Sequence, residues 1–121
     1  MNTPRGLIIA APASGSGKTV LTLGLLRALR NAGHGVTGAK AGPDYIDPAF
    51  HTAASGKPAF NLDPWAMRPD TLAGLVAGSG KSSDILIVEG VMGLFDGVHL
   101  PDRPDAGSTA DLAAMTGWPV V

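Results

Sequence analysis

The sequence predicts an α/β fold, with a parallel sheet covered by helices on both faces. Three observations predict it. Short apolar runs alternate along the chain with segments of helical spacing. The clearest runs are apolar throughout rather than at every second residue, the pattern of strands buried on both sides. Glycine-rich turns separate the runs from the helical segments.

The first run, Leu7 to Ala11, is short and partly β-branched, and reads as a buried strand. A glycine-rich turn, Pro12 to Thr19, follows. Val20 to Ala32 then carries Leu21, Leu25, Ala28, Leu29 and Ala32 at helical spacing, which predicts a helix with that stripe in the core. Arg27 and Arg30 suit its C-terminal dipole, and Gly33 suits its end. Gly35 to Lys40 is a weaker strand. Ala41 to Pro64 reads as a long loop rich in turn formers, of the kind that often carries function. Pro69 to Ala77 predicts a second helix with proline in its first turn. After a polar loop, Asp84 to Gly90 is the clearest strand, four large apolar residues closed by Glu89. Val91 to Gly107 reads as another glycine-rich loop. Ser108 to Met115 reads as a helix capped by Ser108 or Thr109, and Trp118 to Val121 as the start of a further buried strand. The chain stops inside that apolar run, which predicts that its 121 residues are the front part of a longer protein.

Hydrophobic residues make up 45% of the chain, enough for a packed core, and length favours one domain. Charged residues are only 16%, so part of the surface is expected to be covered by more protein. The net charge of −1 gives no electrostatic case for binding nucleic acid or an anionic membrane. With no cysteine, these residues hold no disulfide, thiolate metal site or cysteine nucleophile. No apolar run approaches a membrane span and no signal peptide is visible, so the expectation is a cytoplasmic protein.

A buried strand, a turn ending Gly17-Lys18-Thr19 and a helix form the setting of a phosphate-binding P-loop. Backbone N–H groups of Ser14, Gly15, Ser16 and Gly17 can turn toward phosphate oxygens, and the helix N-terminus adds its positive end. Lys18 is placed to reach the β- and γ-phosphates of a nucleoside triphosphate, and Thr19 to offer its hydroxyl to Mg²⁺. The usual first glycine of the motif is replaced by Pro12. Glu89, at the C-terminal end of the best strand, lies at the sheet edge where the P-loop also sits, and can hold Mg²⁺.

Lys40 opens an acidic loop in which Asp44 and Asp47 each adjoin a proline. They could bind Mg²⁺ or orient a substrate, and turn chemistry is the alternative. The same alternative holds for Asp96-Gly97 and for Asn61 to Pro64. None of the three histidines has a partner at metal-ligand spacing. His34 and His99 read as structural; His51, inside the acidic loop, stays open between a structural and a functional role. Trp65 and Trp118 read as packing residues.

Several motifs together resemble the cobyrinic acid a,c-diamide synthases. They are Ala11 to Thr19, Lys40 to Pro48 with His51 after it, Asn61 to Trp65, Val88 to Gly97 and Ser108 to Ala113. The resemblance covers nearly the whole chain and makes Pro12 a family trait. It implies a P-loop domain similar to dethiobiotin synthetase, and an ATP- and glutamine-dependent ligase of cobalamin biosynthesis. Such enzymes amidate the a and c carboxylates of cobyrinic or hydrogenobyrinic acid through an acyl phosphate. Residues 1–121 then form the N-terminal part of the synthetase domain. The glutaminase domain, with its cysteine nucleophile, lies outside these residues, so the fragment by itself is expected to be inactive.

The resemblance also implies roles. Lys18 and Lys40 neutralise the anions, and Thr19 and Glu89 hold Mg²⁺ with Asp47 completing the site. Asp44, Tyr45, Ile46 and Asp96 match motif positions linked to substrate or metal, Tyr45 and Ile46 as substrate contacts and Asp96 as a group positioning ammonia or the carboxylate. The partners implied are a corrinoid acid and glutamine; the oligomeric state, a homodimer being one option, stays open. Rival readings are cobyric acid synthase, dethiobiotin synthetase and, in another class, a partitioning or septum-site ATPase. The last carries an extra lysine early in its phosphate loop, where this chain has Ala13.

Overall fold

The computed structural model describes residues 4–121, with the side chains of residues 103–105 outside that description. Four parallel strands form one sheet: β1 (Gly6–Ala11), β2 (Val36–Ala41), β3 (Phe60–Leu62) and β4 (Ile85–Gly93). Their spatial order is β1-β4-β2-β3. A bridge from Ile8 to Val120 sets the last residues, also parallel, against the free side of β1. The helices are α1 (Lys18–Asn31), α2 (Asp47–Ser55), α3 (Pro69–Gly80) and α4 (Thr109–Thr116). A small antiparallel hairpin, β5 (Val98–Leu100) and β6 (Arg103–Ala106), precedes α4.

Connection handedness decides which helix lies on which face. The chain steps outward from β1 to β2 to β3, then returns to β4 between β1 and β2. Right-handed crossovers place α1 and α2 on one face during the outward steps and α3 and α4 on the other after the reversal. The cores agree. Ile9, Ile87, Val36 and Leu26 of α1 form one cluster, while Ile8, Leu86, Val88, Leu72 of α3 and Leu112 of α4 belong to the other. Strand side chains alternate, so Glu89 shares the face of Ile87, and Gly38 and Lys40 share the face of Val36. All three therefore point toward α1 and α2. The reversal also opens a crevice at the C-terminal ends of β1, β4 and β2, where open α/β sheets bind ligands.

Several expectations need correction. The stretch from Ala41 to Pro64 is not a loop throughout. It contains α2, entered through Asp47 and Pro48 and stopped at Gly56 (φ 77°), and the short strand β3. The Val91 to Gly107 region continues β4 to Gly93 and then forms the hairpin. The buried ridge of α1 runs through Thr22 and Leu26, with Leu25 and Leu29 on its flank; Leu21 is 57% exposed, and Ala28 and Ala32 face solvent. The helix starts two residues before Val20, and the sheet takes the ridge of Thr22 and Leu26 rather than the predicted stripe as its inner face. Trp118 is packed as expected, its Nε1 donating to Pro4 O at 2.8 Å, whereas Val120 and Val121 are exposed.

Trp118 lies flat against Gly6, where an added Cβ would stand 2.2 Å from Cε2 of the ring. Gly6→Ala should therefore lower stability by about 1–3 kcal/mol, the usual cost of overpacking. A drop in Tm measured on the intact protein checks this; an unchanged Tm contradicts the packing.

Candidate active site

The phosphate loop follows from local chain geometry. Gly15 (φ 76°) and Gly17 (φ 89°) both take left-handed backbone, which glycine reaches without a Cβ penalty. An added Cβ at either would meet nothing within 4 Å, so the need is conformational rather than steric. Ser16 Oγ donates to Ala13 O at 2.7 Å and closes the loop on itself. Ser14, Gly15, Gly17, Lys18 and Thr19 line a cleft of about 380 Å³. No acidic residue lies in the first turn of α1 to oppose an anion there.

Lys40, Asp44, Glu89, Val91 and Met92 line the same cleft from β2 and β4. Lys40 and Glu89 are direct neighbours in the β2–β4 register. Lys40 Nζ lies 2.5 Å from Glu89 Oε2 and 2.8 Å from Asp47 Oδ2 at the start of α2. Thr19 Oγ1 donates to the same Glu89 Oε2 at 2.9 Å. His51, one turn further along α2, donates from Nε2 to Glu89 Oε1 at 3.0 Å. Glu89 and His51 are fully buried, and Lys40 is 7% exposed.

The second strand makes room for this arrangement. A Cβ on Gly38 would stand 2.7 Å from His51 Cβ, so α2 can approach β2 this closely only over glycine. Asp44 shapes the helix entry, Oδ1 accepting from the N–H groups of Ile46 (2.7 Å) and Asp47 (3.0 Å).

Lys18 Nζ donates to Met92 O at 3.2 Å. Met92 has φ 48°, the one positive φ outside glycine among the described residues. A residue other than glycine in that region carries local strain, of order 1–3 kcal/mol, and such strain clusters at functional sites. Here the bend turns a carbonyl toward the lysine of the phosphate loop.

Electrostatics follow the contacts. Burial raises the pKa of Glu89, but hydrogen bonds with His51, Lys40 and Asp47 outweigh it and hold the carboxyl at about 2, below the ordinary 4.5. Burial raises Asp47 above its ordinary 3.8, the Glu89 carboxylate adding to the rise while Lys40 opposes it. Burial lowers the pKa of Lys40, yet the two carboxylates raise it above 10.5 overall. Burial raises Asp44 too, and the N–H groups of Asp47 and Ile46 bring it below 3.8.

A carboxyl depressed in the fold stabilises the protein above its unfolded pKa. For Glu89 that contribution, on the order of 3 kcal/mol, is present above about pH 4.5 and lost as pH falls toward about 2. Asp47 has the opposite sign and trims the loss, because the folded state takes up its proton first. Denaturant titrations of the intact protein between pH 6 and 2.5 should show wild type losing its lead over Glu89→Gln as the solution acidifies. A gap that stays constant contradicts this coupling.

The oxygens of Thr19 and Glu89 are the hard donors that Mg²⁺ takes, and they adjoin each other at the phosphate end of the cleft. No group of three or more His, Cys, Asp or Glu able to hold a metal occurs among the described residues. Mg²⁺ at phosphate sites commonly keeps waters and phosphate oxygens as the remaining ligands, so the residues present fit it.

The other expected residues sit around this centre. Tyr45 (100% exposed) and Ile46 (66%) stand beyond Asp44, facing solvent. Asp96 lies outside the phosphate cleft, in an adjoining cavity of about 250 Å³ with Trp65 and Val98. Its Oδ2 accepts from Gly93 N–H at 2.8 Å, the turn role foreseen as an alternative. Trp65 is 54% exposed rather than packed. Sequence reasoning left His51 undecided. The signal that could have decided it was its place one helical turn after Asp47, with Gly38 opposite.

A family model described as the CobQ/CobB/MinD/ParA nucleotide binding domain matches residues 7–114. The chain belongs to this family. Within this CobQ/CobB/MinD/ParA nucleotide binding domain, the cleft at Gly15 to Thr19 lies inside the matched residues. The resemblance read from the motifs is borne out. The chain is 59% identical over 116 residues to the hydrogenobyrinate a,c-diamide synthase of Rhizobium meliloti (strain 1021), covering 96% of this chain and 26% of that protein. It is 60% identical over 119 residues to the enzyme of that name from Rhodobacter capsulatus, covering 98% and 27%. The Brucella anthropi protein of the same name is 56% identical over 118 residues, covering 97% and 26%. The domain thus spans about a quarter of the length of these curated relatives. No described helix of this nucleotide binding domain is long and apolar enough to cross a membrane.

Proposed function

We propose that residues 1–121 are the N-terminal part of an ATP-dependent synthetase domain, and that the whole protein is a glutamine-dependent ligase. It amidates the a and c carboxylates of hydrogenobyrinic or cobyrinic acid in cobalamin biosynthesis. The observation that carries this reading is the meeting of a phosphate cradle with a buried Lys40–Glu89 pair at one sheet edge. The names of the relatives, over nearly the full length of this chain, support the substrate class.

A corrinoid carboxylate is ionised at neutral pH and needs no base. Its difficulty is approaching a triphosphate of the same sign. The N–H groups from Ser14 to Gly17 bind phosphate oxygens, and Lys18 leaves Met92 O for the β- and γ-phosphates. Lys40, anchored by Glu89 and Asp47, holds positive charge beside the point of attack. Mg²⁺ held by Thr19 and Glu89, with Asp47 beside them, supplies further charge neutralisation when bound. The carboxylate oxygen bonds to the γ-phosphorus as the bond to the β-bridging oxygen breaks, leaving ADP and an acyl phosphate. Ammonia from glutamine, hydrolysed by a domain beyond these residues, then attacks the acyl carbon. Inorganic phosphate leaves with the bonding electron pair, and the nitrogen loses its extra proton to solvent. Asp44 and Asp96 flank this path as positioning carboxylates for the acceptor or ammonia. The exposed Tyr45 and Ile46 offer apolar surface to the macrocycle.

The test is mass spectrometry of products from the full-length protein, given ATP, glutamine and either corrinoid acid. Two successive losses of about one mass unit, each an OH replaced by NH₂, are expected. Unchanged substrate with both acids would overturn the reading.

A further inference from the structure

We propose that His51 is a positioning residue that fixes the rotation of the Glu89 carboxylate, so that Oε2 is the oxygen presented to Thr19 and Lys40. This rests on the reading of the cleft as an Mg²⁺–ATP site.

The two oxygens of Glu89 have separate partners. Oε1 accepts from His51 Nε2 at 3.0 Å, while Oε2 serves Thr19 at 2.9 Å and Lys40 at 2.5 Å, with Asp47 also against the carboxyl. The terminal torsion of a glutamate is broad and holds no orientation by itself. A donor on the inner oxygen adds a constraint to those that Thr19 and Lys40 place on Oε2, as outer partners commonly do for metal-binding carboxylates.

The ring is not placed there for the fold alone. His51 is fully buried, yet its Nδ1 has no hydrogen-bond partner. A histidine kept only for stability would be expected to satisfy both nitrogens, and an apolar side chain would fill the space without stranding one. The opposite strand gives up a side chain as well, since a Cβ on Gly38 would lie 2.7 Å from His51 Cβ. A central strand loses packing and gains backbone entropy cost at such a glycine. Both features bring one nitrogen, Nε2, to one oxygen.

The use of Nε2 alone sets up a test with two amides. The side-chain nitrogen of glutamine can take the place of Nε2, while that of asparagine reaches only the place of Nδ1. In the full-length protein, His51→Asn should lower kcat about 10–100-fold and raise the Mg²⁺ concentration needed for half-maximal rate by a similar factor. KM for the corrinoid acid should stay the same. His51→Gln should recover most of both losses. A readout without turnover accompanies these: the rise in Tm that Mg²⁺ adds to ATP, measured against ATP with EDTA. It should shrink in His51→Asn and return in His51→Gln. Equal losses in both variants, together with a matching fall in the Tm of ligand-free protein, would assign His51 to the fold and overturn the proposal. Full activity and full Mg²⁺ response in His51→Asn would overturn it too. A wild-type protein that fails to amidate yet keeps its Mg²⁺-dependent Tm rise would defeat the substrate reading alone, and the Tm comparison would still decide the role of His51.

Discussion

Lys18→Ala should abolish ATP-dependent amidation by the full-length protein, with kcat/KM lower by about 10³-fold or more. Removing a single preorganised donor from a developing charge typically costs 10²–10³ in rate. Lys18 is expected to cost at least as much, because it carries a full charge to the group being transferred. The residue is 9% exposed and, among the described residues, its Nζ donates to the Met92 carbonyl rather than to a buried charge, so little of the fold depends on it. The variant should therefore keep its Tm within a few degrees, and single-turnover assays should find no acyl phosphate. Retained turnover would count heavily against the scheme. A lost Tm would mean that the lysine supports the loop rather than the reaction.

Lys40→Met should cost both stability and activity. Methionine fills similar volume but leaves Asp47 and the fully buried Glu89 without the cation between them. Breaking a buried pair by removing one partner typically costs about 3–5 kcal/mol, because the remaining charge stays out of water. Two carboxylates left together place this variant toward the upper end. The pH dependence gives the cause a signature. Asp47 already has its pKa raised, and without Lys40 it should protonate more readily still. The deficit against wild type should therefore be largest near neutrality and shrink as pH falls toward about 4. Denaturant midpoints at several pH values measure this. A deficit that stays constant across this range would show that packing, not charge, is what Lys40 supplies.

Much of the architecture was legible because its signals are local. Four large apolar residues ending in Glu89 identify a central strand, and the turn from Pro12 to Thr19 between a strand and a helix identifies a phosphate loop. The misread parts depend on contacts far apart in the chain. Helix α2 is nine residues long, and its amphipathic signal is masked by the prolines and acids at its entry. Strand β3 has three residues and exists because β2 offers it a partner. The inner face of α1 is set by how the helix docks on β1, β4 and β2, through Leu26 on Ile9, Ile87 and Val36, which no local spacing states.

The site divides in the same way. Lys18, Thr19, Lys40, Asp47 and Glu89 are each singled out by motif or resemblance; the structure joins the last four through hydrogen bonds and sets Lys18 in the same cleft, bonded to Met92 O. The pairing of Lys40 with Glu89 crosses 49 residues of chain and follows from strand order, which no local pattern states. His51 depends on that order and also on the bare backbone of Gly38. Asp96, read from a turn dipeptide, sits one cavity away.

Strand β4 has a hydrogen-bonded neighbour on each side, β1 and β2, and it carries Glu89 at its middle, where its pairing with β2 ends. Breathing motions of a protein start where ladders are unpaired and reach a doubly flanked strand last. Glu89 is thus mounted on a strand paired on both sides, between the loops from Pro12 to Gly17 and from Gly42 to Ile46. On the proposed reading, the carboxylate that meets each incoming triphosphate belongs to the paired sheet and does not have to be reassembled between turnovers.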